Sequence, residues 1–226
     1  APDGKPVDFK RGSGRLELAE AIANANNPLT ARVMVNRAWD QIFGQPLVET
    51  PSDFGVRTAA PTNPALLDGL ATRFIADQWS TKKLIRTLVT SAAFRQASET
   101  HKAGLAKDPE NRLLWRMHRR RADFETMRDS ILVISGQLEP KLGGQPFDLV
   151  ANFNTPRRTI YAMIDRQNLP AVFRTFDFAN PDYHVARRNE TTTPQQALWM
   201  MNHPFTRQQA DKLAKKIATA GSDEDK

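Results

Sequence analysis

The sequence contains no cysteine. That absence removes disulfides, thiolate metal sites, cysteine nucleophiles and c-type haem attachment together. It leaves the compartment open, because an oxidising compartment permits disulfides without requiring them. Long apolar runs are also missing. Nothing approaches the roughly 18 consecutive apolar residues of a membrane-spanning helix, and the opening stretch APDGKPVDFKRGSG has no apolar core of the kind a signal peptide needs. The chain is therefore cytosolic, or else a mature chain or an excised domain. No Walker or dinucleotide-binding glycine pattern occurs, and Gly143-Gly144 is an isolated turn signal. No Gly-x-Ser-x-Gly elbow is present, so Gly12-Ser13-Gly14 reads as a flexible lead-in to a helix. His101, His118, His184 and His203 form no HxxxH or HxH pair, and a metal site would have to be assembled from distant segments. No catalytic residue, metal ligand or cofactor is assigned on these grounds.

What the chain does have is arginine. Arg112, Arg116, Arg119, Arg120 and Arg121 fall in one ten-residue stretch with no acid among them, and Trp115 is its one aromatic residue. The formal net charge is +7 over 226 residues. Such a balance admits nucleic acid, anionic glycan, anionic lipid or an acidic protein as partner, and equally a basic protein with no polyanion ligand. Apolar residues at 40% and charged residues at 25% are ordinary for a globular chain long enough for one large domain or two small ones.

Periodicity predicts a mainly α fold, a multi-helix domain with a small β element in its C-terminal half. Residues 1–12 form a lead-in segment, 13–220 a single helical domain, and 221–226 a frayed polar tail. The first helix starts near Ser13 with Leu16, Ala19, Ile22 and Ala23 on its apolar face. Asn27-Pro28 and Asn63-Pro64 each join a capping side chain to a proline at the first helical position, where its missing N–H is no loss. The second helix buries Ala31, Val35, Ala38, Trp39 and Ile42 and ends at Gly44. Its polar stripe Arg32, Asn36, Asp40 reads as a solvated or salt-bridged face, with the lining of a cleft as the alternative. The third helix carries Leu67, Leu70, Ala71 and Phe74 and closes at Trp79. Ser80 caps a fourth with Leu84, Ile85, Leu88, Val89 and Ala92 inward.

Further on, Phe124, Met127, Ile131, Ile134 and Leu138 recur at helical spacing and predict one buried face. Arg157–Arg166, RRTIYAMIDR, is the strand candidate, with Phe147–Phe153 as its partner. A short helix falls within Asn168–Phe178. Thr193-Pro194-Gln195-Gln196 is a capping box opening a helix with Ala197, Leu198 and Met201, and Pro204 restarts the chain as a last helix to about Thr219. Trp39, Phe74, Leu88, Ile131 and Leu198 are expected in the core.

Two arginine doublets, Arg157-Arg158 and Arg187-Arg188, stand near Tyr161, Asn168, Asp177 and Asn189. Arginine's planar fork binds carboxylate or phosphate with two parallel hydrogen bonds. These eight residues are the candidate anion- or partner-binding site. The competing reading is internal ion pairing, with Asp165, Asp177 and Asp182 as the nearest acids in sequence.

Several segments together resemble a known family. They are SGRLELAEAIANANNPLTARVMVNRAWDQIFGQPLVETPSDFGVR, ALLDGLATRFIADQWSTKKLIRTLVTSAAFRQAS, NRLLWRMHRRRADFETMRDSIL, and the series RRTIY, NLPAVFRTFDFANPD and RRNETTTPQQALWMMNHPF. The pattern, from about Ser13 to Phe205, is similar to the C-terminal planctomycete-specific domain, a domain of unknown function. In that family the domain closes large exported proteins that also carry a cytochrome-c-like domain. Many relatives have a cysteine ahead of the second arginine pair; here the stretch reads DYHVARRN, so a thiol role is absent. The resemblance implies an extracytoplasmic location, in the periplasm or at the cell surface. It implies no activity, because the family has no established one; the leading functional reading is a non-catalytic interaction module whose partners are companion domains of the same polypeptide, another cell-surface protein or an anionic glycan. The alternative is a hydrolase-like or redox-associated enzyme domain whose site is completed by upstream domains. Nucleic acid fits the charge, but no recognition motif supports it and export argues against it.

Overall fold

A computed structural model describes residues 9–219. The first eight residues of the lead-in and the tail expected over 221–226 lie outside the described residues. Among the described residues the chain is mainly helical, with nine α-helices and one short 3-10 turn. The chain divides into two compact units that meet in sequence at Arg119 and Arg120.

The first unit contains α1 (Arg15–Ile22), α2 (Pro28–Phe43), α3 (Pro64–Ala76), α4 (Thr81–Val89) and α5 (Lys102–Lys107). Its helices start where capping side chains stand. Asn27 Oδ1 accepts from Leu29 N at 3.0 Å and Asn63 Oδ1 from Leu66 N at 3.0 Å, each ahead of a proline at the first position. Gly44 ends α2 in the left-handed region at φ 83°, which costs a residue without Cβ nothing. The core is Val35, Trp39, Phe43, Leu67, Phe74, Leu84 and Leu88, packed helix on helix. Helix α3 closes in a Schellman turn: Trp79 N donates to Phe74 O, Gln78 N donates to Ile75 O, and the Trp79 and Phe74 rings meet edge to face at 5.4 Å.

Two expectations change here. Helix α1 buries no residue, and Leu16 and Ile22 are exposed. Polar contacts at its two ends hold it instead: Glu17 accepts from the backbone N–H groups of Lys10 and Arg11, and Thr30 Oγ1 donates to Ile22 O. The α2 polar stripe also divides. Arg32 pairs with Asp68 at 2.6 Å on the surface, while Asn36 and Asp40 are buried. Asn36 exchanges two hydrogen bonds with the backbone of Val48, so its amide acts as a strand-like partner that fixes the long 44–62 connection.

Three arginines of the basic segment have neighbours within this unit. Arg112 pairs with Glu49 at 3.1 Å, Arg116 lies over the Trp115 ring, and Arg119 Nε donates to Ser98 O. Trp115 in turn packs so closely on Gly104 that a Cβ there would sit 2.5 Å from the indole.

The second unit contains α6 (Phe124–Ile134), the 3-10 turn Thr159–Tyr161, α7 (Ala171–Thr175), α8 (Pro194–Asn202) and α9 (Pro204–Ala218). Its core is aromatic: Phe124 meets Phe173, Phe176 and Trp199 with ring centroids 5.3 to 5.8 Å apart. Helix α6 begins at the Asp123 cap but presents a different face from the one expected. Phe124, Arg128, Leu132 and Ser135 are buried, Ile131 is only partly so, and Ile134 is 55% exposed. The apolar period misplaces the face because it counts an arginine as surface, and this arginine is wholly inside.

The strand expected over 157–166 does not form. Two isolated parallel bridges, Glu139 with Arg157 and Phe147 with Ala162, flank the 3-10 turn. The chain turns at Thr159 because its N–H and Oγ1 both bind Asp129 on α6, at 2.8 and 2.6 Å, which removes it from any ladder. In α8 the Thr193–Gln196 capping box forms, with Gln196 Oε1 accepting from Thr193 N at 3.2 Å. Gln196 is buried and donates to Thr175 O, whereas Leu198, expected in the core, is 56% exposed. His203 ends α8 and caps α9, its Nδ1 accepting from Phe205 N at 3.2 Å, and its ring stacks on Trp199.

Candidate functional site

The site is built outward from Arg128. Its side chain is fully buried, and its guanidinium makes five hydrogen bonds to four acceptors: Nε and Nη2 bind Phe153 O, Nη2 also Thr155 O, and Nη1 binds Arg157 O and Thr159 Oγ1. Phe147 and Phe205 lie against its faces at about 5.5 Å. Burial lowers its pKa to about 10, against the opposing pull of Asp129, so it remains charged at neutral pH. One guanidinium thereby supplies the hydrogen bonds that the irregular segment 153–159 does not make to itself.

This places the first doublet. Arg157 turns to the 143–145 turn, donating to Gly143 O and Gln145 O, and lies over the Tyr161 ring at 4.5 Å, while Tyr161 Oη accepts from Gly143 N. Arg158 faces Asp129 at 3.6 Å. From the second doublet, Arg188 Nη1 donates to both oxygens of Glu125 at 2.9 and 3.0 Å, and its guanidinium lies over Phe178 at 4.4 Å. Glu125 and Asp129 stand four residues apart on α6, so one arginine of each doublet docks on the same helix face. Sequence reading passed over both carboxylates, although their four-residue spacing beside Arg128 was a visible signal. The acids nearest in sequence are engaged elsewhere: Asp165 accepts from Gln167 N, Asp182 faces Arg166 at 3.7 Å, and Asp177 binds Arg121 at 2.7 Å.

Asp177 is the second organising point. Helix α7 ends in a Schellman turn in which Phe178 N donates to Phe173 O and Asp177 N to Arg174 O, with the two phenylalanine rings 4.8 Å apart. Asp177 therefore takes the left-handed position, φ 60°, where a non-glycine residue costs roughly 1 kcal/mol. Its carboxylate offsets that cost by accepting from Arg121, Thr191 N and Thr191 Oγ1, which ties 121, 177 and 191 together. Arg121 also donates to Thr191 O.

With 178–191 anchored at Asp177 and at Arg188, the stretch between encloses a cleft of about 420 Å³. Arg166, Arg174, Arg187, Arg188, Asn180, Asp182, Tyr183 and Asn189 are among its walls. Of the eight residues singled out from sequence, Asp177, Arg187, Arg188 and Asn189 line this cleft. Arg157, Arg158, Tyr161 and Asn168 do not line it, and Asn168 is exposed. Arg174, which sequence reading left out, does line it, and among the described residues its side chain has no ion pair or hydrogen bond.

A family model described as PSD1, protein of unknown function (DUF1553), matches residues 14–225. The chain belongs to the PSD1 family. The match spans both compact units and every residue of the cleft. Membership carries no activity, since the PSD1 description assigns none. No curated protein and no solved structure matches. Among the described residues of this PSD1 chain no group of three or more histidines and carboxylates is arranged to hold a metal ion, and no helix is long and apolar enough to cross a membrane.

Proposed function

We propose that the chain is a non-catalytic interaction module of a multidomain exported or cell-surface protein, and that it engages its partner through an anionic group held in the 166–189 cleft. The observation that carries this reading is the accounting of guanidinium groups. Arg121, Arg128, Arg157 and Arg188 each donate to defined acceptors, and Arg158 faces Asp129 at 3.6 Å. Arg174 stands in a concave wall without such a partner among the described residues. An uncommitted guanidinium in a cleft attracts carboxylate, sulfate or phosphate through charge-assisted hydrogen bonds. The exported setting rests on the family resemblance.

Thermal melts in low-millimolar sodium sulfate, against sodium chloride at matched ionic strength, test this. Binding to the folded state raises Tm by mass action, and the general salting effect of sulfate, which acts on both proteins alike, is removed by comparison with Arg174→Ala. The expected result is a sulfate-specific rise in the parent that Arg174→Ala abolishes. Equal shifts in the two proteins, or none, overturn the reading.

A further inference from the structure

We propose that the anion the cleft takes is the carboxylate of an acidic sugar, a uronic acid unit within a glycan chain; this rests on the reading above and specifies its ligand. Three features of the walls favour a sugar. First, most of the cleft's charged groups already have partners. Arg188 is matched by Glu125, Arg166 faces Asp182, Asp177 is matched by Arg121, and Arg187 is engaged within the chain. Arg174 is left, so the cleft offers one anion subsite. A nucleic acid strand, whose affinity grows with the number of phosphates neutralised, gains little from a single contact.

Second, the remaining groups suit hydroxyls. Asn180 uses its Oδ1 on Asp182 N, and its amide nitrogen has no acceptor among the described residues. The Asn189 amide and the Tyr183 hydroxyl likewise carry no hydrogen bond there. Amides and a phenol donate and accept together, as sugar hydroxyls require, whereas an acidic peptide side chain presents acceptors only. Third, the Tyr183 ring is 66% exposed at the cleft wall, a flat apolar surface with a polar rim that matches the C–H face and hydroxyl edge of a pyranose. A cleft of about 420 Å³ lies within the range of small-ligand sites.

Titration calorimetry with a trimer of galacturonic acid tests the inference. Its fully methyl-esterified form, a triglutamate peptide of equal charge and a short oligothymidylate are run beside it. The expected result is binding of the uronate trimer alone. The affinity should fall at least tenfold with Arg174→Ala and with Tyr183→Ala, and less with Arg174→Lys, which keeps the charge but loses the fork. Circular dichroism and melting of each variant check that it is folded. Peptide or oligonucleotide binding as tight as the uronate, or binding that survives esterification, overturns the proposal. Failure of the uronate to bind while sulfate still raises the parent Tm through Arg174 removes the sugar assignment and leaves the anion reading standing. Loss of both responses removes both.

Discussion

Helix packs on helix in residues 9–119 through leucine, phenylalanine and tryptophan, whereas residues 120–219 are pinned by a buried guanidinium and two carboxylates. The difference follows from backbone. In the first unit most buried peptide groups lie in α2, α3 and α4 and satisfy one another, so apolar side chains can fill most of the core. In the second, the irregular segments 139–159 and 178–193 are not self-satisfying. Arg128, Asp129 and Asp177 supply the missing donors and acceptors from side chains. A long connection in the first unit shows the same device on a smaller scale, where Asn36 holds Val48.

The sharpest way to break this comparison is to remove the hub. Arg128→Met fills similar volume but leaves the Phe153, Thr155 and Arg157 carbonyls without their donor, and should cost about 3–5 kcal/mol. Arg128→Lys should recover only part of that, because an ammonium has three donors and no planar fork. Urea melts measure both, and a midpoint at the parent value for Arg128→Met would show that the second unit is held like the first.

Next in size is the rotation of α6. Leu132 is fully buried and Ile131 only partly, so Leu132→Ala should cost about 3 kcal/mol and Ile131→Ala about 1 kcal/mol. The reverse order would restore the face that apolar spacing alone suggests.

A third experiment makes one substitution in both units. Gln78 and Asp177 occupy the same left-handed position of two Schellman turns, at φ 59° and 60°. The Gln78 side chain has no hydrogen bond among the described residues, so Gln78→Gly should stabilise by about 0.5 kcal/mol through relief of strain. Asp177→Gly relieves the same strain but loses the bonds to Arg121 and Thr191, and should destabilise by about 1–2 kcal/mol. Shifts of the same sign at the two sites would show that the Asp177 carboxylate contributes nothing beyond the turn.

The smallest expected effect is at His203. Burial lowers its pKa, and its unprotonated Nδ1 accepts from Phe205 N. A histidine with a depressed folded pKa contributes stability that is present above its unfolded value, near 6.5, and is lost as pH falls through the folded value. His203→Asn keeps an acceptor at the cap and removes the titration. The stability difference between pH 7.5 and pH 5 should therefore shrink in the variant; an unchanged difference would remove His203 from the pH response.

Helix starts were legible where one residue type has one local use. The Asn27-Pro28, Asn63-Pro64, Ser80 and Thr193-Pro194 signals all mark helix starts, because capping is decided within four residues. The buried faces of α2 and α3 were largely legible from apolar spacing, whereas of the face expected for the fourth helix Leu84 and Leu88 are buried but Ile85 and Ala92, also expected inward, are exposed. Misreadings gathered where a polar side chain goes inside. Arg128 turned the α6 face, Gln196 turned α8 away from Leu198, and Asp129 bent Thr159 out of a strand. The cleft was half legible: its arginine doublet and Asp177 stood out as charge, while Arg174 looked like any exposed helix residue.

The sequence by itself determined a mainly helical chain of the PSD1 family, its helix starts, its aromatic and leucine core positions in the first unit, and its basic balance. Tertiary structure alone decided which arginines of the cleft are used up and that, among the described residues, Arg174 is left. An arginine's partner depends on what the fold brings within about 3 Å, and the partners here lie as far apart in sequence as Arg188 and Glu125, or Arg121 and Asp177. Local patterns record propensity over a few residues, whereas charge pairing is settled by contacts across dozens, so the guanidinium free to meet a ligand is visible only once the others have been placed.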